Sequence, residues 1–403
     1  MTSLLVRVFR LAVREQCRTR AKSGQITQAR GCHTKSKESG VLKTYLEKVL
    51  NNPLPLGAGA LVVGILQWNR IRSRNERQTE GEELKEEANK VLHPEHWKVT
   101  CYSNLPLRHV SRLWGFINEI HLPVWLRTKV LGWYVSAFGC DLSDAEVENL
   151  EYYQNLGTFF RRRLKSSVRP IASEDLISPC DGKVMHSGPV DVHSGLVEQV
   201  KGVTYSLKSF LGSYFFTGVQ ALHGSKEVVE KEESPKNLYQ CVLYLAPGDY
   251  HCFHSPTDWI LEQRRHFPGE LLSVNPKVVS IISHLFALNE RVAYIGKWKH
   301  GFFSMTAVGA TNVGSIKVEK DPELTTNNWK YESKTFHQKS FKSKVEAGIP
   351  VKKGEYFGEF NLGSTIVLIF EAPDNFQFDL WPGKVVKVGH AILKSQDRDE
   401  NQS

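Results

Sequence analysis

A serine that follows a glycine at the start of an apolar run is the most chemically promising feature of this chain. The segment is Leu362-Gly363-Ser364-Thr365, and it leads into the strand-like run Ile366–Phe370. A serine hydroxyl in such a turn can attack the peptide carbonyl that precedes it in its own chain. Taken alone the pattern is weak, because glycine and serine are also common turn residues.

Two upstream segments supply the groups that would activate this hydroxyl. Asp181 lies in a tight turn before a predicted strand, and His251 and His254 lie three residues apart in the run Ala246–Pro256. A hydroxyl becomes a good nucleophile when an imidazole removes its proton, and a carboxylate fixes the tautomer of that imidazole. The three residue types therefore fit a nucleophile relay.

Each of these residues also has a simpler interpretation. An aspartate before a glycine is typical of a turn in which the carboxylate bonds its own backbone, as Asp181 would do here. His251 and His254 could be metal ligands, although no third ligand at a suitable spacing is visible, so we predict no metal site.

Several motifs in a fixed order resemble the phosphatidylserine decarboxylase family, in its mitochondrial proenzyme form, over about Trp97 to Leu393. Besides the three segments above, they are Arg112 to Gly115, Tyr152-Tyr153, Phe159 to Lys165, Arg169-Pro170 and His266 to Leu271. Motifs that are unrelated to one another are far more specific as an ordered set than singly.

The resemblance implies a reaction at Ser364. Ser364 would attack the carbonyl of Gly363 and cut the chain into a β chain, residues 1–363, and an α chain, residues 364–403. The residue at 364 would become a pyruvoyl cofactor, which forms a Schiff base with phosphatidylserine and yields phosphatidylethanolamine and CO₂. By the same resemblance His254 is the base for Ser364, Asp181 orients His254, and His251 is the proton donor after decarboxylation.

Two other classes of function stay open from the residues alone. A Ser-His-Asp lipid hydrolase would keep an intact chain, although the G-x-S-x-G elbow is absent. A non-catalytic, membrane-anchored lipid-binding protein would also remain uncut and would tolerate loss of Ser364.

The net charge of +9 is concentrated at the N-terminus. Residues 1–40 hold nine Lys or Arg and two Glu, so +7 of the charge lies there. An acidic-poor, Arg-rich segment predicts a mitochondrial presequence, with a disordered basic tail as the alternative. The remaining chain is nearly neutral, so we expect no nucleic-acid partner.

Residues 50–69 form an uncharged stretch followed by four arginines. The stretch is short for a membrane span, and a buried core helix is the alternative. Its small residues, terminal Trp68 and basic flank favour one inner-membrane helix. The resemblance implies a single pass with the catalytic body in the intermembrane space, and residues 70–95 read as a charged linker.

Residues 96–403 read as an α+β decarboxylase domain, with N-terminal helices before a largely antiparallel β core. Leu105 to Lys165 has helical periodicity, and short runs bounded by turn residues follow Ile177. The edge made by Phe159-Phe160 and the next three arginines fits either core packing or contact with anionic lipid headgroups. The seven cysteines show no disulfide or zinc pattern. Expected partners are phosphatidylserine, membrane lipid and the two chains of one precursor, and a homodimer remains open.

Overall fold

The computed structural model describes residues 107–191, 195–200, 203–212, 236–311, 315–328, 336–343, 347–361 and 364–394. The predicted presequence, membrane helix and charged linker all lie outside these residues. Within the described ranges, no helix has the length and apolar character needed to cross a bilayer.

Helices come first in the described chain. The principal ones are α1 (Leu107–Asn118) and α2 (Val124–Phe138), followed by the short α3 (Leu156–Phe160). α2 ends at Gly139, which takes the left-handed φ of 65° that glycine adopts without strain. α3 begins with a capping box between Asn155 and Thr158, in which each side chain bonds the backbone of the other.

Antiparallel strands make up the rest. They are β1 (Gly182–Pro189), β2 (Leu196–Val200), β3 (Val203–Ser206), β4 (Lys236–Leu245), β5 (Cys252–His254), β6 (Trp259–Phe267), β7 (Arg291–Trp298), β8 (Gly301–Val308), β9 (Ile316–Val318), β10 (His337–Ser340), β11 (Ile349–Val351), β12 (Tyr356–Phe360), β13 (Ser364–Pro373) and β14 (Val385–Val386). Short helices α4 (Leu207–Leu211), α5 (Pro276–Val279) and α6 (Leu285–Leu288) lie between them.

The large sheet has the order β10-β6-β7-β8-β13-β4-β1-β14, with β11 also paired to β6. β5, β12 and β9 form a second, three-stranded sheet, and β2 and β3 a third. This is the α+β architecture, with a largely antiparallel core, that the sequence predicts.

Strand β13 separates two hydrophobic cores. Ile366, Leu368 and Phe370 pack into one core, and Val367 and Ile369 pack into the other. Alternate side chains of a strand point to opposite faces, so both faces of the sheet are covered here. A continuous apolar run is therefore needed at β13, although an antiparallel sheet often shows alternation.

The helical region departs from the sequence prediction in two places. The stretch Asp144 to Leu150, expected to continue the helical pattern, is irregular: one bridge joins Ala145 to Leu164, and only Leu150 belongs to a helix, the 3-10 turn Leu150–Tyr152. The apolar stripe that predicts α1 is exposed, since Leu113 and Phe116 are 61% and 63% accessible. Phe159 and Phe160 are buried, which confirms core packing for that pair.

Candidate active site

Ser364 is the first residue of β13, where it pairs with Leu245 at the end of β4. Its side chain is fully buried, and its Oγ has no hydrogen-bond partner among the described residues. Gly363, the predicted partner in cleavage, lies outside the described residues. A buried hydroxyl without a hydrogen-bond partner lowers the stability of the fold by about 1–3 kcal/mol. A role for the hydroxyl in chemistry would explain why a serine stands at this position.

The chain just before Ser364 is held by Asn361. Its backbone N–H donates to Ser315 O at 2.9 Å, and its Nδ2 donates to Ser315 Oγ at 2.7 Å. The guanidinium of Arg161 donates to Asn361 Oδ1. One side chain thus ties the segment that enters the cleavage site to α3 and to the loop before β9.

Asp181 lies in the turn before β1 and is almost fully buried. Arg169 donates to both of its carboxylate oxygens, at 3.1 and 2.6 Å, and the Val388 N–H donates at 2.8 Å. The Lys387 ammonium lies 3.5 Å away. A bidentate arginine and a backbone N–H offset the cost of burying the carboxylate charge.

His251 is completely buried, with its ring centroid 4.0 Å from that of Phe160. Its Nδ1–H donates to Asp249 O at 2.8 Å, and its Nε2 has no partner in the described chain. Burial lowers the pKa of His251 to about 3, and the charge of Asp181 opposes that shift. The ring is therefore neutral near pH 7 and holds an open lone pair on Nε2.

His254 has partners on both ring nitrogens. Nδ1–H donates to Gly354 O at 3.0 Å, and Nε2 accepts from the Tyr250 hydroxyl at 3.1 Å. Burial lowers the pKa of His254, whereas the Gly354 carbonyl and the charge of Asp181 raise it. Both histidines are thus fixed in the tautomer that leaves Nε2 unprotonated.

The turn of Asp181 and the start of β13 both lie beside the end of β4, but among the described residues Ser364 contacts neither histidine ring through a hydrogen bond. The His254 N–H donates to Pro179 O at 2.7 Å, which ties the β5 segment to the turn of Asp181. The Phe360 N–H donates to His251 O at 3.0 Å, four residues before Ser364. Within the described contacts, however, Asp181 hydrogen-bonds neither histidine ring, and its effect on both rings is electrostatic.

Sequence reasoning missed three residues that shape this site. Arg169 is the main hydrogen-bond partner of Asp181, and the Tyr250 hydroxyl donates to His254 Nε2. Asn361 anchors the segment before Ser364 through its bond to Arg161. A buried aspartate requires a cation, so an arginine should have been sought for Asp181. The described side chains include no group of three or more His, Cys, Asp or Glu able to hold a metal ion.

A buried serine, one buried and one partly buried histidine and an arginine-paired aspartate are thus found in an α+β chain with an antiparallel core, and comparison with known proteins identifies the family of the chain. The family model for phosphatidylserine decarboxylase matches residues 156–394, more than half of the chain. The mitochondrial phosphatidylserine decarboxylase proenzyme of Cricetulus griseus is 47% identical over 349 residues, covering 84% of this chain and 83% of the relative. Mitochondrial proenzyme 1 of Saccharomyces cerevisiae is 39% identical, with 82% and 81% covered. The Caenorhabditis elegans proenzyme is 42% identical, with 74% of each covered. This chain belongs to the phosphatidylserine decarboxylase family.

Proposed function

We propose that this chain is a mitochondrial, self-processing, pyruvoyl-dependent phosphatidylserine decarboxylase. It is a carboxy-lyase that converts phosphatidylserine into phosphatidylethanolamine and CO₂. The observation that carries the proposal is the buried, unbonded hydroxyl of Ser364 at the head of the central strand, in a chain of this family. The relatives are named proenzymes, which agrees with activation by cleavage.

In the first reaction Ser364 Oγ attacks the carbonyl carbon of Gly363, and the peptide C–N bond breaks to give an ester and a free amine on residue 364. Loss of the α-proton of residue 364 then eliminates Gly363 as a carboxylate and leaves a dehydroalanine, which water hydrolyses to the pyruvoyl group with release of ammonia. His254 removes the hydroxyl proton, because its Nδ1–H is committed to Gly354 and Nε2 is the basic atom. Tyr250 now bonds that nitrogen, so the attack requires this contact to be exchanged. Asp181 favours the imidazolium through its charge.

The surroundings of Ser364 fit the pyruvoyl group derived from it. Conversion of the side chain breaks no hydrogen bond in the described chain, and the position is buried. When formed, that group supplies a ketone that binds the substrate amine and accepts the electron pair released with CO₂.

His251 moves the proton in the second reaction. Its Nε2 carries no proton in the resting site, so it must gain one before it can return one to the product carbon. A buried ring beside Phe160 keeps that transfer away from bulk water.

The membrane is the source of the substrate. α1 and α2 expose large apolar side chains, which include Leu113, Phe116, Trp125 and Trp133, each at least 60% accessible. Monomeric soluble proteins rarely expose so many together, and such patches mark protein or membrane contacts. This surface supports membrane lipid as a partner.

The presequence, the single inner-membrane span, the intermembrane-space body and the homodimer remain predictions. The first two lie outside the described residues. The hydrolase and the non-catalytic lipid-binding protein gain no support, because the family is one of decarboxylases.

The proposal is tested by replacing Ser364 with Ala and following the chain on a denaturing gel beside CO₂ release from serine-labelled phosphatidylserine. The parent should give two chains, the shorter one blocked to Edman sequencing. Ser364→Ala should give one uncut, inactive chain, and Ser364→Cys should be cut slowly at best. A cut and active Ser364→Ala enzyme would refute the proposal.

A further inference from the structure

A cavity of about 210 Å³ lies beside the chain that leads to Ser364. α1 contributes Arg112 and Asn118 to its lining, and Arg161, Asn327 and Asn361 are among the residues that complete it. Pockets for drug-sized ligands typically hold about 300–1,000 Å³. This cavity is therefore sized for a small polar group, and the processing reaction makes no use of it.

The lining offers paired guanidinium groups. Arg112 Nε donates to the Asn327 backbone O at 3.0 Å, and Arg161 contacts the amide of Asn361. Arg161 also lies 3.6 Å from the partly buried Glu359 and 3.8 Å from the largely exposed Glu119. Glu119 also lines the cavity, so carboxylates and guanidinium groups share this lining. A weak ion pair to an exposed carboxylate can be exchanged for a bidentate bond between a guanidinium and a phosphate.

An open acceptor lies in the same lining. Asn327 is 8% accessible, and its Oδ1 is buried with no hydrogen-bond partner in the described chain. Guanidinium forks match the oxygens of a phosphate, and an amide whose oxygen has no partner can turn to present its NH₂ group to the same oxygens. A phosphate ester therefore fits this lining through its phosphate, and the amino group of the substrate stays available for the reaction at Ser364.

The position of the cavity fits a phospholipid that reaches Ser364. Asn361 lies three residues before Ser364, so their Cα atoms are at most about 11 Å apart. On its outer side α1 exposes Leu113, Phe116 and Ile117. Acyl chains can stay against that apolar face while the headgroup enters between α1 and the segment before Ser364.

We propose that this cavity is the subsite for the phosphate of the phospholipid headgroup, with Arg112 and Arg161 as its ligands. The inference rests on the proposed decarboxylase function, and it adds the residues that bind the substrate. Arg161 has a structural duty at Asn361 as well, so Arg112 is the residue on which the test depends.

The test compares Arg112→Gln and Arg112→Lys with the control Lys129→Gln, which removes the same charge from an exposed position on α2 outside the cavity. The substrate is a short-chain phosphatidylserine below its micelle concentration, so attraction to a membrane plays no part. Arg112→Gln should be cut normally and should raise KM about 10- to 100-fold, as loss of a charge-assisted hydrogen bond predicts. kcat should change far less, Arg112→Lys should be intermediate, and Lys129→Gln should match the parent.

Asn327→Asp is a second variant, of the same shape, that places a negative charge in the cavity. It should also raise KM, and it should weaken competitive inhibition by short-chain phosphatidic acid, which does not react. An unchanged KM in Arg112→Gln or Asn327→Asp would overturn the subsite. An equal rise of KM in the control Lys129→Gln would do the same, as would a defect that is seen with vesicles but not with the soluble substrate. If Arg112→Gln is not processed, the KM values of Arg112→Lys and Asn327→Asp decide whether the cavity binds the phosphate. Failure of the decarboxylase function itself is distinct, because the parent would then release no CO₂.

Discussion

The residues of the site are individually costly for the fold. Ser364 Oγ and His251 Nε2 are buried polar atoms without partners among the described residues, and each such atom costs about 1–3 kcal/mol. An apolar side chain at either position would avoid that cost. Their presence at buried positions is consistent with chemistry, since an unbonded hydroxyl and an open imidazole lone pair are the groups that a proton relay uses.

Replacing each of the two histidines should impair a different step of the proposed reaction. His254→Ala should leave an uncut proenzyme because Ser364 loses its base, and Asp181→Asn should impair cutting because the imidazolium loses a favourable charge. His251→Ala should still be cut but should lose about 10²- to 10⁴-fold in decarboxylation. A gel and a CO₂ assay on the same preparations measure both steps. A fully active His251→Ala, or a His254→Ala cut at the parental rate, would reverse these assignments.

Processing should tolerate mild acid. Burial lowers the pKa of His254 below its ordinary value of 6.5. A base with a lowered pKa stays unprotonated until the pH falls below that value, so the cleavage rate should be flat from pH 8 to 6.5 and should fall only in more acidic buffer. Pulse-labelled proenzyme incubated between pH 5 and 8 gives the rate. A decline that begins above pH 6.5 would mean that another group is the base.

At the scale of elements, the sequence predicted what local patterns determine. The apolar runs of β4, β8 and β13 and the turn at Asp181 were visible, because hydrophobicity and turn residues are local signals. The partnership of Asp181 with Val388 joins residues 207 positions apart, and no local pattern encodes it. The exposure of the apolar stripe of α1 was equally hidden, since an amphipathic pattern does not say what, if anything, covers its apolar face.

The close approach of β1 and β4 gives a test at this scale. A Cβ at Gly182, next to Asp181, would lie 2.5 Å from Tyr244 O, whereas one at Gly188 on the same strand would meet only the His186 ring at 3.5 Å. Gly182→Ala should therefore displace the Asp181 turn, cost about 1–3 kcal/mol and slow cleavage. Gly188→Ala is the matched control and should do neither. Thermal unfolding and a processing gel report the two effects, and equal behaviour of the two variants would contradict the argument.

At the scale of the whole molecule, the cavity beside the segment before Ser364 is lined by a helix that also exposes apolar side chains. α1 carries both the cavity residue Arg112 and the exposed Leu113 and Phe116. In the proposed function one element therefore connects lipid contact with headgroup binding. Such an arrangement would let the enzyme act on a substrate whose acyl chains remain in the bilayer.

The double variant Leu113→Gln with Phe116→Gln should reduce turnover of phosphatidylserine in vesicles about tenfold or more, because burying each such side chain contributes about 1.5–3 kcal/mol. Turnover of soluble short-chain phosphatidylserine should stay at the parental level. Ile281→Gln, which removes an apolar side chain exposed outside α1 and α2, is the control. Equal loss on both substrates would place the defect in the active site instead of at the membrane.

The central position of β13 has a consequence for the lifetime of the enzyme. In the proposed reaction a cut before Ser364 makes β13 the start of the short chain, and β13 pairs with β4 on one side and β8 on the other. The fragment cannot leave without dismantling both cores, so a spent or damaged group at its N-terminus cannot be exchanged for a fresh one. Each molecule would form its pyruvoyl group once, and a cell would restore lost activity only by synthesising new precursor.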